Sequence, residues 1–248
     1  MRVFFKLTMV LFTISLAFAG TSMAELVLHL SFDEGAGDTT KDRVKGVVGT
    51  LINNPKWVDG KFNKALEFDG KTAEVVIKKG DDPEPASEIS IAMWAKLNGN
   101  NANYEFVRKQ TPNGKGYDIR LEGNTLKWWV NNGGWLNASY AKLLPDNEWF
   151  FITGTYDGKK LILYINGVES ATSDVSGKIQ YDDSNLLIGS AAPHDANFNL
   201  NGALDEFMMW NNAIGSDEIK RVMVTPVAVE PNSKLSVAWG SIKTSLLR

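Results

Sequence analysis

The sequence predicts an all-β domain made of two packed antiparallel sheets. Three observations lead to this fold class. Short runs of alternating or continuous apolar residues recur along almost the whole chain. Turn pairs of the Asp-Gly, Asn-Gly and Gly-Gly type separate them. Helical spacing holds over only one stretch, residues 216–222. Numerous short strands with almost no helix bury their apolar faces by packing sheet on sheet.

The elements follow in order. Arg2 and Lys6 precede an apolar run over 7–19, too short to cross a bilayer, and Ser22-Met23-Ala24 supplies the small residues a signal peptidase needs. Residues 1–24 are therefore expected to be a secretory signal peptide. The mature chain then starts at Glu25 and is secreted, periplasmic or extracellular. No Cys stands in a lipobox position, and no other segment is apolar for long enough to span a membrane.

The first strand places Leu26, Leu28, Leu30 and Phe32 on one face and Val27, His29, Ser31 and Asp33 on the other. Strand-like runs follow at 64–69, 74–77, 89–97, 104–109, 117–122, 125–131, 185–189 and 202–210. Asp69-Gly70, Asn98-Gly99, Asn113-Gly114, Gly123-Asn124 and Gly133-Gly134 turn the chain between them.

The densest stretch is "NEWFFITGTYDGKKLILYINGVES", residues 147–170. It reads as a three-stranded meander, 149–156, 161–166 and 168–172, turned at Asp157-Gly158 and Asn166-Gly167. Leu161, Leu163 and Ile165 share one face, and Ile162, Tyr164 and Asn166 the other. Both faces are largely apolar, so the strand is covered on both sides, with Trp149, Phe151, Leu161, Leu163 and Ile165 buried.

In the last strand, "ALDEFMMW", the apolar pattern slips: Leu204 is followed by Phe207 and Met209. One extra residue there predicts a β-bulge at Asp205-Glu206. The one helix follows at 216–222, with Ser216 as its cap and Asp217 and Glu218 in its first turn. From Thr225 the composition changes, so residues 225–248 read as a tail outside the domain.

Composition excludes some functions. The 248 residues carry 26 basic against 29 acidic side chains, a net charge of −3. Removing Arg2 and Lys6 makes the remainder more acidic. That balance argues against a nucleic-acid partner, which selects basic surfaces. Cysteine is absent. A domain of this size buries enough surface without disulfides.

Glycoside hydrolysis needs two carboxylates flanking the scissile bond. The meander has none within its strands, because Glu148 and Asp157 sit at strand ends. Asp205-Glu206 are adjacent, and Asp182-Asp183 lie in a turn. His29 and His194 are the only histidines, and no nucleophile-elbow motif is present. With neither paired strand carboxylates nor a triad signature, the chain is expected not to be an enzyme.

Aromatics suggest binding instead. Trp128, Trp129, Trp135 and Tyr140 gather in "LKWWVNNGGWLNASY" beside Asn131, Asn132 and Asn137. Adjacent Trp128 and Trp129 point to opposite faces of a strand, so one joins the core and the other is a candidate sugar-stacking ring. Covering of both faces, with both indoles in the core, is the alternative. Trp128, Trp129, Asn131, Trp135 and Tyr140 are the ligand-binding candidates, and His194, Asp195, Asn197 and Asn199 form a polar loop that could rim the site.

Four ordered stretches carry a family resemblance: "LVLHLSFDEGAGDTTKD"; "GKFNKALEFDG"; "EISIAMWAKLN" with "NEWFFITGTYDGKKLILYINGVE"; and "LLIGSAAPHDANFNLNGALDEFMMWNNAIGSDEIKRV". As an ordered set they span nearly all of residues 25–224. The chain resembles the laminin-G-like branch of the concanavalin A-like lectin/glucanase jelly rolls. The resemblance implies a two-sheet antiparallel jelly-roll sandwich. It also implies a structural calcium joining the first and last strands, with Asp33 and Asp205 giving carboxylates and Gly70 a carbonyl. The ligand is not implied, because the family holds binding modules, adhesion domains and enzymes. The expected function is a secreted, non-catalytic binding module for carbohydrate or extracellular matrix, its partner a glycan or cell-surface component. The alternatives are a diverged glycan hydrolase or lyase and a protein-binding adhesion domain.

Overall fold

A computed structural model describes residues 24–225, apart from 101, 112–113 and 192–196. The expected signal peptide up to Met23, the tail from Pro226, His194 and Asp195 lie outside the described residues.

Sixteen strands and one helix follow in chain order: β1 Leu26–Leu30, β2 Thr39–Lys41, β3 Val48–Ile52, β4 Lys56–Asp59, β5 Lys64–Asp69, β6 Glu74–Ile77, β7 Ile89–Leu97, β8 Tyr104–Lys109, β9 Tyr117–Glu122, β10 Thr125–Asn131, β11 Trp135–Tyr140, β12 Phe150–Tyr156, β13 Lys160–Ile165, β14 Val168–Asp174, β15 Leu186–Ile188, β16 Asn201–Trp210 and α1 Ser216–Val224. They form two eight-stranded sheets. The first runs β14-β13-β12-β7-β16-β5-β4, with β1 added beside β16. The second runs β11-β10-β9-β8-β15-β6-β3-β2. All pairings are antiparallel, and the sheets pack as the expected jelly-roll sandwich.

The main core lies between the sheets. Leu28, Leu66, Ile91, Phe150, Leu161, Leu163, Leu204 and Phe207 of the first sheet meet Val75, Phe106, Tyr117, Ile119, Leu126, Trp128 and Ile188 of the second. A second cluster covers the outer face of the first sheet, where Trp94, Phe151, Tyr164, Met208 and Trp210 pack under Ile219 and Val222 of α1. The meander is therefore apolar on both faces because core lies on one side and α1 on the other. Gly158 turns β12 into β13 at φ 83°, and Asn166-Gly167 turns β13 into β14 with φ of 50° and 74°. Positive φ at both of the latter suits the type I′ geometry that matches strand twist.

Three expectations need correction. Trp149 precedes β12 and is half-buried, and Ile165, last in β13, is half-buried too. Ser216 is the first helical residue, so Gly215 occupies the cap and makes no side-chain hydrogen bond. The short strands β2, β3 and β4 and the edge strand β11 are absent from the sequence reading: few of their residues are buried, so their short or half-exposed runs carry little pattern.

The bulge at the slipped pattern is present: the register shifts between Asp205 and Met208, and Glu206 takes a left-handed φ of 51°. Here β16 exchanges partners. Asn201 to Leu204 pair with β5, and Phe207 to Trp210 pair with β1.

Candidate functional site

The outer face of the second sheet is where polar and aromatic side chains gather. On β10, alternation sends Leu126, Trp128 and Val130 into the core and Lys127, Trp129 and Asn131 to the other side. Trp128 is fully buried, and its indole Nε1 donates to the Thr155 carbonyl at 3.1 Å. It belongs to the core, and the ligand role expected for it is corrected to its neighbour. Trp129 is half-buried on the outer face. Trp135 reaches it from β11, the ring centroids 6.4 Å apart and edge-to-face. The register puts Asn137 opposite Trp129 and Trp135 opposite Asn131.

The other predicted residues are spent differently. Asn131 Oδ1 accepts the Gly133 N–H at 3.1 Å and so closes the turn into β11. Tyr140 pairs with Leu126 in register and packs against the core, away from the Trp129 face. Of the predicted set, Trp129 and Trp135 are brought together on one surface.

Charged residues missed in the sequence surround them. β8, β9 and β10 place Glu105, Arg108, Asp118, Arg120, Glu122 and Lys127 on this same face. Arg120 is central. Its Nη2 is 2.7 Å from Glu122 and its Nε 3.8 Å from Asp118. Its guanidinium lies 5.3 Å from the ring centres of both Trp129 and Phe198. Lys127 pairs with Glu122 and stands 5.5 Å over Trp129. Deeper, Glu105 and Asp118 are buried, and Gln110 Nε2 donates to Asp118 Oδ2 at 2.7 Å. Both Glu105 oxygens, Asp118 Oδ1, Arg108 Nε and Trp129 Nε1 lack a hydrogen-bond partner among the described residues.

This corrects the expectation of no paired strand carboxylates. Asp118 and Glu122 alternate along "YDIRLE" and were legible as such. Glu105 joins them only across the β8–β9 pairing, where it faces Arg120. Burial pushes the Glu105 carboxyl well up, with the Asp118 charge adding to it and Arg108 opposing. Burial likewise raises Asp118, from 3.8 to about 7, against the pull of Arg120 and Arg108.

A stability prediction follows. Between 3.8 and about 7 the native Asp118 keeps a proton that the unfolded chain has released. Stability therefore falls as pH rises through that window and stays lower above it. Asp118→Asn keeps an acceptor for Gln110 and leaves Arg120 its Glu122 partner. The variant is expected to melt above the wild type at about pH 8, the gap closing towards about pH 4. Thermal melts across that range check it, and a variant less stable at the alkaline end would contradict it.

The second locus is the β16 bulge. Asp205 and Glu206 are both buried. Glu206 Oε2 lies 2.6 Å from His29 Nε2, and Asp205 Oδ2 accepts the Phe62 N–H at 2.9 Å. Asp205 Oδ1 and Glu206 Oε1 have no hydrogen-bond partner among the described residues. Burial, helped by the charges of Glu206 and Asp33 and opposed by the Phe62 N–H, lifts the Asp205 carboxyl from 3.8 to about 7. Asp33 is thus brought near Asp205, though its own carboxylate accepts from Arg43 at 2.6 Å and from the Lys64 N–H at 3.2 Å. Gly60 sits in a ring of oxygens: a Cβ there would meet Phe62 O at 2.5 Å, Lys64 O at 2.6 Å and Asp205 Oδ2 at 2.7 Å. Phe32, Asn63 and Glu206, around the same junction, hold left-handed φ of 56°, 38° and 51°. A bulky residue there is a backbone outlier that packing must enforce.

Gly70 is not brought to this junction. It lies beside Asn201 and donates to the Leu200 carbonyl at 2.9 Å. Four residues of β16 separate it from Asp205, roughly 13 Å at strand rise. Among the described residues no three His, Asp or Glu side chains form a metal cluster, so an ion at the bulge would draw on backbone carbonyls.

Comparison with known proteins agrees with this architecture. A family model described as the concanavalin A-like lectin/glucanases superfamily matches residues 69–220. Human Adhesion G-protein coupled receptor D1 is 40% identical over 130 residues, 50% of this chain and 13% of its own. Human Pappalysin-1 is 30% identical over 115 residues, 44% of this chain and 7% of its own. The chain thus spans only a small part of the curated relatives it matches. Among solved structures, domain 4 of AbnA, a GH43 extracellular arabinanase from Geobacillus stearothermophilus, in complex with arabinotriose, superposes with a TM-score of 0.66. It is 19% identical and covers 80% of this chain and 98% of that one. The binding domain of Paraclostridial Mosquitocidal Protein 1 superposes at 0.64 with 21% identity, covering 79% and 51%. At these identities the likeness to the solved structures is one of fold. No helix among the described residues is long and apolar enough to cross a membrane.

Proposed function

Because the chain belongs to the concanavalin A-like lectin/glucanases superfamily, we propose that it is a laminin-G-like binding module for carbohydrate or extracellular-matrix glycan at the cell exterior. The observation that carries the reading is the Trp129–Trp135 pair on the outer face of the second sheet, beside Arg120, Glu122 and Asn137. Indole faces stack on the apolar C–H side of a sugar ring while the flanking polar groups bond its hydroxyls. A jelly-roll neighbour whose structure holds arabinotriose is in keeping with a glycan ligand. The expected signal peptide supports secretion.

One observation favours a second reading. Glu105 and Asp118 form a carboxyl pair with raised pKa on adjacent strands, as a hydrolase acid and base would. Burial weighs against it: Glu105 is 0% and Asp118 1% exposed, so neither reaches a substrate held on the tryptophans. Binding is the reading we adopt. A glycan array with the purified chain tests it. Signal on defined glycans, with release of no shortened product, is expected. Glycan cleavage would support the hydrolase instead, and a blank array would leave protein adhesion.

We also propose a calcium ion at the β16 bulge, held by Asp33 and Asp205 with the carbonyls of Phe62 and Lys64 in place of Gly70. The partnerless Asp205 Oδ1 and the oxygen ring at Gly60 fit a hard cation that takes oxygen ligands. Bound there, the ion would neutralise buried charge and tie the end of β1 to the middle of β16.

A further inference from the structure

We infer that the Trp129 face selects neutral, hydroxyl-rich glycans and rejects polyanionic ones such as sulfated or uronate chains. The inference rests on the binding reading above and names its ligand class. Charge on β8, β9 and β10 is balanced there, with Glu105, Asp118 and Glu122 against Arg108, Arg120 and Lys127. Among the described residues, each of these three cations already faces a carboxylate. Arg120 Nη2 is 2.7 Å from Glu122, Lys127 pairs with the same carboxylate, and Arg108 lies 3.9 Å from Glu105.

The Arg120 guanidinium also lies over the rings of Trp129 and Phe198. A sulfate or carboxylate could bind only by displacing a partner carboxylate. It would leave that carboxylate uncompensated beside two buried ones. It would also enter a chain of net charge −3. A neutral sugar needs no such exchange. Its hydroxyls both donate and accept, so they bond the outer edges of Glu122, Arg120 and Asn137 without breaking the pairs, while its ring stacks on one indole of the edge-to-face Trp129–Trp135 pair and abuts the other. Glu122 is the specificity-determining residue, because it holds both partly exposed cations, Arg120 and Lys127.

The test uses affinity electrophoresis in neutral polysaccharides (arabinan, xylan, galactan, β-glucan) and chromatography on heparin and polygalacturonate. The full chain is compared with Trp129→Ala and Glu122→Gln. Wild type is expected to be retarded by at least one neutral polysaccharide, weakened about 10–100-fold in Trp129→Ala, and to pass heparin without retention. Glu122→Gln frees Arg120 and Lys127, and is expected to gain salt-sensitive heparin retention. Heparin binding by wild type that Trp129→Ala abolishes would overturn the neutral selectivity while leaving the site in place. Binding of either class that ignores Trp129→Ala, or no binding at all, would overturn the site and the selectivity together. Glu122→Gln that still ignores heparin would overturn the role of Glu122.

Discussion

Trp128→Ala is expected to cost about 3–5 kcal/mol of folding stability, and Trp129→Ala less than about 1 kcal/mol. The two residues are neighbours of identical chemistry, so the contrast isolates position. Trp128 is fully buried, its ring flat against Gly154, where a Cβ would fall 2.9 Å from Trp128 Cδ2. Its indole N–H is bonded to Thr155 across the sandwich. Truncation leaves a cavity between the sheets and an unmet carbonyl on β12. Trp129 is half-buried on the outer face, among Arg120, Lys127 and Trp135, so its truncation removes less packing than that of a ring between the sheets. Denaturant melts of the two variants read the difference directly. Equal losses would mean that both rings are core and that the outer face carries no platform.

Calcium is expected to raise the melting temperature of metal-stripped protein, and chelator to reverse the rise. An ion bound only by the native state stabilises by mass action, about 2.7 kcal/mol at a hundredfold excess over its Kd. Asp205→Ala is expected to erase the response, because Asp205 supplies the buried carboxylate nearest the Gly60 oxygens. Asp205→Asn separates metal loss from misfolding: it keeps an acceptor for the Phe62 N–H, so it folds without responding to calcium. Identical melts of stripped protein with and without calcium would remove the ion.

Much of the fold was legible because the signals were local. Strand-like runs set off by turn pairs located β5 to β10, and the slip after Leu204 located the bulge to the residue. β2, β3 and β4 are only three to five residues long and half-exposed, too short for their pattern to stand out against turns. The site divides along the same line. That Trp128 and Trp129 face opposite ways follows from strand geometry alone. Which of them faces inward depends on which sheet lies opposite, and no local pattern encodes that. Asp118 and Glu122 could have been read from their spacing, but the meeting of Glu105 with Arg120 depends on cross-strand register. Asp33 and Asp205 meet for a comparable reason: β1 and β5 both lie against β16, on either side of the bulge. The family resemblance implies Gly70 as a ligand, but pairing of Asp69 with Asn201 carries it to the far end of that strand.

The central claim is that a sugar contacts Trp129 and Trp135 and not the core indoles. Each tryptophan gives one indole N–H resonance, so titration of nitrogen-15-labelled protein with the glycan selected on the array reads all of them at once. The account predicts that the Trp129 and Trp135 signals shift in step with saturation while those of Trp128, Trp94 and Trp210 stay fixed. Saturable binding that leaves Trp129 and Trp135 unmoved would contradict it.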